Sequence, residues 1–292
     1  REPSVSSSAE DWDGTSWTAS GNLNTARGDA SASQTAPSTD GIIFIGSTGN
    51  HTNTVTNTEA YNGTSWTEVA DLSQKRYRGM GGGTGASAIC ATGYTGTARS
   101  SVTEEWATTA TPTTLAKITE GQLFFNSTAN AFKETITDIP GATWASSGNL
   151  NEGRGNAGSS GTQTATLFFG GEPPGGSQSA LTEQYDGSSW TEVGDLNVAR
   201  GQQFFSNQGT QTAALSATGV PLQTSVESWN GSAWTETTDL NTARRNGSSL
   251  GTQGAMLGTG GYASPSYRTL TEIWDGSSWT ETGDCPDAKF VC

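Results

Sequence analysis

The chain has 292 residues, of which 9% are aromatic, 14% are charged and 39 are glycine. The aromatic content favours an ordered, turn-rich β protein over a disordered chain. A formal net charge of −14 would repel DNA or RNA, so we expect no nucleic-acid partner. The longest apolar run covers only 42–45, whereas a membrane-spanning helix needs roughly 20 residues, so no membrane insertion is expected.

One segment recurs along the whole chain with nearly the same sequence. Its copies are AEDWDGTSWTASGNL at 9–23, TEAYNGTSWTEVADL at 58–72, the shorter GATWASSGNL at 141–150, TEQYDGSSWTEVGDL at 182–196, VESWNGSAWTETTDL at 226–240 and TEIWDGSSWTETGDC at 271–285. A repeat of about 40 to 50 residues is typical of the blades of a β-propeller. We therefore predict an all-β propeller.

Each repeat predicts four short strands, which we call a to d. Strand a follows a basic residue, strand b is a run of small residues that ends in glycine, and strand c is the TE-x-aromatic segment. An Asp-Gly or Asn-Gly pair, a strong hairpin signal, leads into strand d and its tryptophan. The recurring residues are Arg27, Arg78, Arg154, Arg200 and Arg244, and Trp17, Trp66, Trp190, Trp234 and Trp279.

Because these residues recur once per repeat, we assign them a structural role. We expect each arginine to bind backbone carbonyls and a strand-c glutamate at the blade junction, where unpaired buried groups are costly. The glutamates are Glu59, Glu183, Glu227 and Glu272.

The spacing of the tryptophans is irregular at one point. Trp66 and Trp144 are 78 residues apart, whereas the other repeat tryptophans are 44 to 49 apart. The stretch at about 107–140 is either a degenerate blade, which gives seven blades, or an insertion, which gives six; we favour seven. The chain begins on strands c and d and ends where a strand a would begin. We therefore expect 1–292 to form one propeller domain whose N- and C-terminal segments pair to close the ring.

These motifs together resemble the kelch repeat over nearly the whole chain. The residues are the glycine that ends strand b, Glu-x-aromatic-(Asp/Asn), the following tryptophan and the next arginine. The repeat sequence LNTAR…GTQTA…TE-x-(Y/W)-(D/N)-G-(S/T)-S-W-T is similar to the repeats of kelch-like proteins of tailed phages, especially marine ones. The segment at 121–136 resembles a β-module of phage tail fibres. The resemblance implies a kelch-like propeller from a virion.

The chemical signals argue against an enzyme. Galactose oxidase shares the kelch architecture but needs two histidines, and His51 is the chain's single histidine. The Asp-Gly-x-x-Trp segments lack a residue that sialidase Asp-boxes have. We therefore expect no catalytic group, metal or cofactor. Cys90 lies in an apolar run and is expected to be a buried thiol, while Cys285 and Cys292 are near enough in sequence to pair.

The connections between strands b and c vary most among the repeats. In kelch propellers these loops share a face with the d–a loops, and partners bind there. Five of their side chains are aromatic or cationic and suit contact with a sugar or a protein surface. These candidate ligand-binding residues are Tyr94, Arg99, Tyr262, Tyr267 and Arg268.

The function expected from this pattern is a non-enzymatic component of a phage virion. It would be a tail-fibre or receptor-binding propeller that contacts a host surface glycan or receptor, or a neighbouring virion protein, and it could be a homo-oligomer there. The alternatives are a capsid-decoration or tail-connector protein, a glycan hydrolase or depolymerase, and a cellular kelch adaptor. The expected location is the virion, with secretion as the alternative.

Overall fold

The computed structural model describes residues 5–12, 17–35, 39–49, 53–108, 123–126, 131–134 and 142–284. The first two strands, β1 (Glu10–Trp12) and β2 (Trp17–Ala19), form an antiparallel hairpin. They correspond to strands c and d of the first repeat copy. Among the described residues, no helix is long and apolar enough to cross a membrane.

Five four-stranded antiparallel sheets, or blades, follow the hairpin. Blade 1 contains β3 (Ser31–Ala32), β4 (Gly41–Phe44), β5 (Thr58–Tyr61) and β6 (Trp66–Val69). Blade 2 contains β7 (Met80–Gly83), β8 (Ser87–Ala91), β9 (Thr103–Thr108) and β12 (Ala142–Ser146); β10 (Leu123–Asn126) and β11 (Ala131–Glu134) precede β12 in the chain. Blade 3 contains β13 (Gly158–Thr162), β14 (Ala165–Phe169), β15 (Thr182–Tyr185) and β16 (Trp190–Glu192).

The remaining strands complete the last two blades. Blade 4 contains β17 (Phe204–Phe205), β18 (Ala214–Ala217), β19 (Val226–Trp229) and β20 (Trp234–Thr237). Blade 5 contains β21 (Ser248–Thr252), β22 (Ala255–Thr259), β25 (Thr271–Trp274) and β26 (Trp279–Thr282). Between β22 and β25 the chain forms a small hairpin of β23 (Tyr262–Ala263) and β24 (Ser266–Tyr267).

The blades are arranged as in a β-propeller. Strands a to d pair in that order within every blade, and the a strands of successive blades contact one another. The a strands therefore surround the central axis. Each d strand of the five blades and of the hairpin starts at the repeat tryptophan, except in blade 2, where Trp144 lies in the middle of β12. The predicted all-β propeller of four-stranded blades is confirmed.

The predicted number of blades is wrong. β9 pairs directly with β12, with Trp106 opposite Trp144, so these strands are c and d of the same blade. The stretch between them is an insertion, in which β10 pairs with β11, and not the degenerate blade that we favoured. The structure describes five four-stranded blades rather than seven or six, because the first repeat copy contributes only the two strands of the β1–β2 hairpin. The predicted ring closure through 285–292 lies outside the described residues.

The repeat arginines are buried, and each pairs with a strand-c glutamate. The N···O distances are 2.5 to 3.1 Å, and the five arginine side chains are 0% exposed. The pairs are Arg27–Glu59, Arg76–Glu104, Arg154–Glu183, Arg200–Glu227 and Arg244–Glu272. Each arginine also donates to the backbone carbonyl just before strand c. Burial lowers the pKa of Arg154 and of Arg200, and the paired glutamate opposes this shift.

The structure corrects one residue of this set. Arg76, not Arg78, occupies the repeat position in blade 2, because its guanidinium reaches Glu104 and the carbonyl of Val102. Arg78 is 29% exposed and its Nε lies 3.3 Å from Oδ1 of Asp29. Arg78 therefore belongs to the surface of the axial cavity described below.

The core consists of the layers between blades. In three of these layers the indole N–H of a strand-d tryptophan donates to the threonine hydroxyl at the start of strand c in the preceding blade. These bonds join Trp144 to Thr58, Trp190 to Thr103 and Trp234 to Thr182, at 3.0 to 3.2 Å. Cys90 is a fully buried free thiol, as predicted, and burial raises its pKa. Cys285 and Cys292 lie outside the described residues.

Candidate functional site

Five residues with left-handed backbone surround one end of the propeller axis. Each lies two positions after a buried arginine, where strand a begins, and each has a φ of +52 to +55°. We call this set the axial ring: Asp29, Arg78, Asn156, Gln202 and Asn246. Such a φ costs most residues roughly 1–2 kcal/mol, and only Asn and Asp tolerate it well. The backbone of all five is therefore held by the surrounding fold.

Backbone hydrogen bonds connect members of the axial ring across blades. The N–H of Arg78 donates to the carbonyl of Asp29 at 3.0 Å. The N–H of Gln202 donates to Asn156 at 2.8 Å, and that of Asn246 donates to Gln202 at 3.0 Å. These bonds use main-chain atoms alone, so the side chain at each position is free to differ from blade to blade.

The axial ring opens into a cavity of about 480 Å³ along the axis. Asp29, Arg78, Asn156 and Asn246 line its mouth. Further along the a strands the lining includes small residues and the apolar Met80, Phe205 and Leu250. The cavity therefore has polar groups at its mouth and a wall in which apolar side chains are mixed with serine, glutamine and asparagine side chains.

A second layer of variable residues lies outside the axial ring. In every blade, the residue just after the buried arginine forms an antiparallel bridge with the residue just after strand b and its turn. These bridges are Gly28↔Ser47, Tyr77↔Tyr94, Gly155↔Glu172, Gly201↔Val220 and Arg245↔Tyr262. The backbone geometry repeats, but only blades 2 and 5 carry aromatic side chains at these positions.

The blade 2 cluster contains two of the predicted ligand-binding residues. Tyr94 packs edge to face on Tyr77, with ring centroids 5.4 Å apart, and the Cζ atom of Arg99 lies 5.3 Å from the Tyr94 centroid. Burial raises the pKa of Tyr77. A cleft of about 340 Å³ separates this cluster from the blade 3 loop that carries Pro173 and Pro174.

The blade 5 cluster contains the other three predicted residues. Tyr262 packs on Tyr267 at 5.3 Å between centroids, and the Cζ atom of Arg245 lies 5.1 Å from the Tyr262 ring. Arg268 donates its backbone N–H to Gly261. The five predicted residues thus form two separate clusters on b–c connections, and their role in binding stays a prediction.

Glu172 connects the blade 2 cluster to the axial ring, and sequence reasoning missed it. Its carboxylate accepts from Arg99 at 2.9 Å and from Asn156 and Gln202 at 3.0 Å each. A Cβ atom on Gly155 would lie 2.5 Å from Nη1 of Arg99, so Gly155 leaves the space that the guanidinium crosses. The sequence does signal the axial ring, as a polar residue that varies two positions after each buried arginine, but it does not signal Glu172.

No group of three or more His, Cys, Asp or Glu side chains arranged to hold a metal ion occurs within the described ranges. His51 lies outside them, so the expectation that it is a solvated loop residue has no structural test.

The fold and the cavity define this chain as a β-propeller with a polar axial mouth. No protein-family model matches the sequence, and no curated protein matches it. A solved structure described as "Structure of YjhT" is similar in fold, with a TM-score of 0.64 over 97% of this chain and 98% of that chain. The sequence identity is 12%, so the likeness concerns the fold alone.

Proposed function

We propose that this chain is a kelch-type propeller of a tailed-phage virion that binds its partner, without catalysis, through the face that bears the axial ring. The kelch assignment rests on the repeated buried pairs such as Arg200–Glu227, which join the loop before strand a to strand c of the same blade. The phage assignment rests on the amino-acid sequence of the repeats, which resembles that of phage kelch-like proteins.

One observation carries the binding role. The buried arginines, glutamates and most strand-d tryptophans are the same in every blade, whereas the axial ring and the bridge residues differ at positions with identical backbone geometry. A purely structural ring would need no such variety. Aromatic and cationic side chains such as Tyr94, Arg99 and Tyr262 are enriched among residues that dominate binding energies.

The lining of the cavity favours binding over glycan hydrolysis. Glycosidases use two carboxyl groups about 5 to 10 Å apart. Within the described residues, Asp29 is the one acidic side chain that lines the axial cavity, and it is engaged by Arg78. A glycan hydrolase or depolymerase therefore has less support than a receptor-binding role.

A role in decorating the capsid or joining tail parts remains the second candidate. Such a part would bury about 1,000 Å² or more against its neighbours in the particle. The observation that favours it is the exposed loop at 174–177 of blade 3, which borders the cleft beside the blade 2 cluster and is open to a neighbouring protein.

The test is peptide mapping and intact-mass measurement of purified virions, followed by binding of the isolated chain to host cells. We expect the chain in particles at fixed stoichiometry, and we expect Y94A/R99A to reduce cell binding. The matched control is Thr235→Ala, an exposed residue on the outermost strand of blade 4. Absence from virions would refute the virion role, and presence without any cell binding would favour the decoration role.

A further inference from the structure

The lining of the axial cavity combines apolar and polar side chains. Leu250 is 51% exposed although it lies in the middle of strand a of blade 5, and Phe205 of blade 4 is half-buried beside it. Polar groups of Asp29 and Arg78 lie at the mouth of the same cavity. An exposed apolar surface next to convergent polar groups is the usual composition of a small-molecule site, and about 480 Å³ falls within the usual size range.

The charges at the mouth balance each other. Nε of Arg78 lies 3.3 Å from Oδ1 of Asp29, so the guanidinium and the carboxylate form an ion pair. The other polar groups there are the amides of Asn156 and Asn246, which offer both donors and acceptors. An anionic ligand would meet Asp29 and a cationic ligand would meet Arg78. The mouth therefore suits a neutral ligand that carries several hydroxyl groups.

One residue of the cavity lining carries an acceptor that has no donor among the described residues. Gln34 lines it just after strand a of blade 1, and its Nε2 donates to the hydroxyl of Ser159. Its Oε1 is buried and has no hydrogen-bond partner within the part of the chain that the structure describes. Buried acceptors are nearly always paired in folded proteins, and a rotation of the Gln34 side chain toward the cavity would bring this oxygen to a ligand hydroxyl.

The identity of the axial-ring residues gives an independent argument. Glycine adopts a positive φ without steric cost, and this chain uses it at other left-handed positions such as Gly46 and Gly93. All five positions of the axial ring nevertheless carry polar side chains. At Arg78 and Gln202 the residue type has no special tolerance for this conformation. The same φ also occurs at buried residues such as Ile45, so the argument rests on the polar side chains at all five positions rather than on the strain itself.

We propose that the axial cavity binds a single neutral sugar residue. Its C–H face would pack on Phe205 and Leu250, and its hydroxyls would bond to Arg78, Asp29 and the ring amides. The inference deepens the proposed function, because it rests on the ligand-binding role of this face and names a ligand class and a site for it.

The experiment is saturation-transfer NMR and calorimetry on the full chain. The probes are glucose, galactose, mannose and N-acetylglucosamine, with glucuronic acid and glucosamine as charged comparators. The variants are Arg78→Gly and Leu250→Asn, with Thr235→Ala as the control. Glycine suits the backbone at position 78, so R78G should unfold at the same denaturant midpoint as the parent or a higher one.

We expect at least one neutral sugar to saturate the cavity, and both variants to weaken its binding by about tenfold or more. The control should bind like the parent. The proposal is overturned if no neutral sugar saturates, if only a charged sugar binds, or if R78G and L250N keep the parental affinity.

The two proposals fail in distinguishable ways. Virions that contain the chain and attach through Tyr94 and Arg99, with no sugar in the cavity, would leave the receptor-binding role intact and refute the cavity inference. Sugar binding that depends on Arg78 and Leu250, in a chain absent from virions, would leave the cavity inference intact and refute the virion role.

Discussion

The substitution Val226→Thr should stabilise the protein, because it supplies a missing acceptor between blades 4 and 5. Three strand-d tryptophans donate their indole N–H to a threonine at the start of strand c in the preceding blade. The equivalent position opposite Trp279 is Val226, and Nε1 of Trp279 is buried without a hydrogen-bond partner among the described residues. Both side chains belong to the same core cluster.

The magnitude follows from the cost of the unpaired donor. Leaving a buried N–H unsatisfied costs about 1–3 kcal/mol, and a typical net hydrogen bond contributes about 1 kcal/mol. Threonine has nearly the shape of valine, but its hydroxyl must itself be accommodated in the core. We therefore expect V226T to raise the free energy of unfolding by about 0.5–1.5 kcal/mol.

The matched reverse change is Thr182→Val, which removes the acceptor of Trp234. It should lower the free energy of unfolding by about 1–3 kcal/mol. Urea denaturation at constant m-value measures both changes. The indole N–H resonance of Trp279 should also gain protection from hydrogen exchange in V226T. The reasoning is refuted if V226T and T182V shift the midpoint in the same direction, or if the Trp279 resonance is unchanged.

Three further predictions concern the repeat arginines, the c–d turns and the core thiol. R76A should lower the free energy of unfolding by about 3–5 kcal/mol, because it leaves the buried Glu104 without its partner, and R78A should lower it by at most about 1 kcal/mol. Equal losses in chemical denaturation would contradict the assignment of Arg76 to the repeat position. Backbone N–H and hydroxyl groups of the following serines lower the pKa of Asp186 and of Asp275 to about 2. The stability that these two carboxylates contribute is therefore present above about pH 4 and is lost as the pH falls through about 2. Asn62 and Asn230 occupy the equivalent turns of other blades with the same bonds, so D186N/D275N should fold normally. Its free energy of unfolding should fall less at acid pH than that of the parent, and an equal fall would mean that other groups cause it. With Cys285 and Cys292 replaced by serine, a thiol reagent should label nothing in the folded chain and Cys90 on unfolding, and rapid labelling of the folded chain would contradict its burial.

The fold was predictable because each repeat carries its own strand and turn signals. The predicted blade count was wrong because strands c and d of blade 2 are far apart in the sequence but pair in the structure. Strand c of blade 2 ends at Thr108 and its strand d begins at Ala142, so the copy around Trp144 has no acidic-aromatic step of its own. Nothing local distinguishes this split blade from a degenerate one; only the pairing of Trp106 with Trp144 does so.

The sequence alone identifies the buried arginine of blade 2, but it does not predict the contacts of Glu172. Two arginines lie close together at 76–78, and in the other copies the arginine follows the final leucine of the recurring segment by four positions, which selects Arg76 after Leu72. The Glu172 contacts have no such signal. Arg99 comes from blade 2, Asn156 precedes blade 3 and Gln202 precedes blade 4, so the carboxylate collects them only because these blades are neighbours.

The repeat separates the residues that hold the propeller together from those that can vary. The side chain of Arg200 binds its own blade through Glu227, while its carbonyl accepts the N–H of Gly171 from the preceding blade at 2.7 Å. Arg76, Arg154 and Arg244 accept the corresponding bond, at 2.9 to 3.5 Å. Because these contacts use the repeated arginine, its glutamate and main-chain atoms, the side chain two positions later is not needed to join the blades. Each blade can therefore present a different side chain to the axis without disturbing the contacts between blades, which is the property that a recognition surface requires.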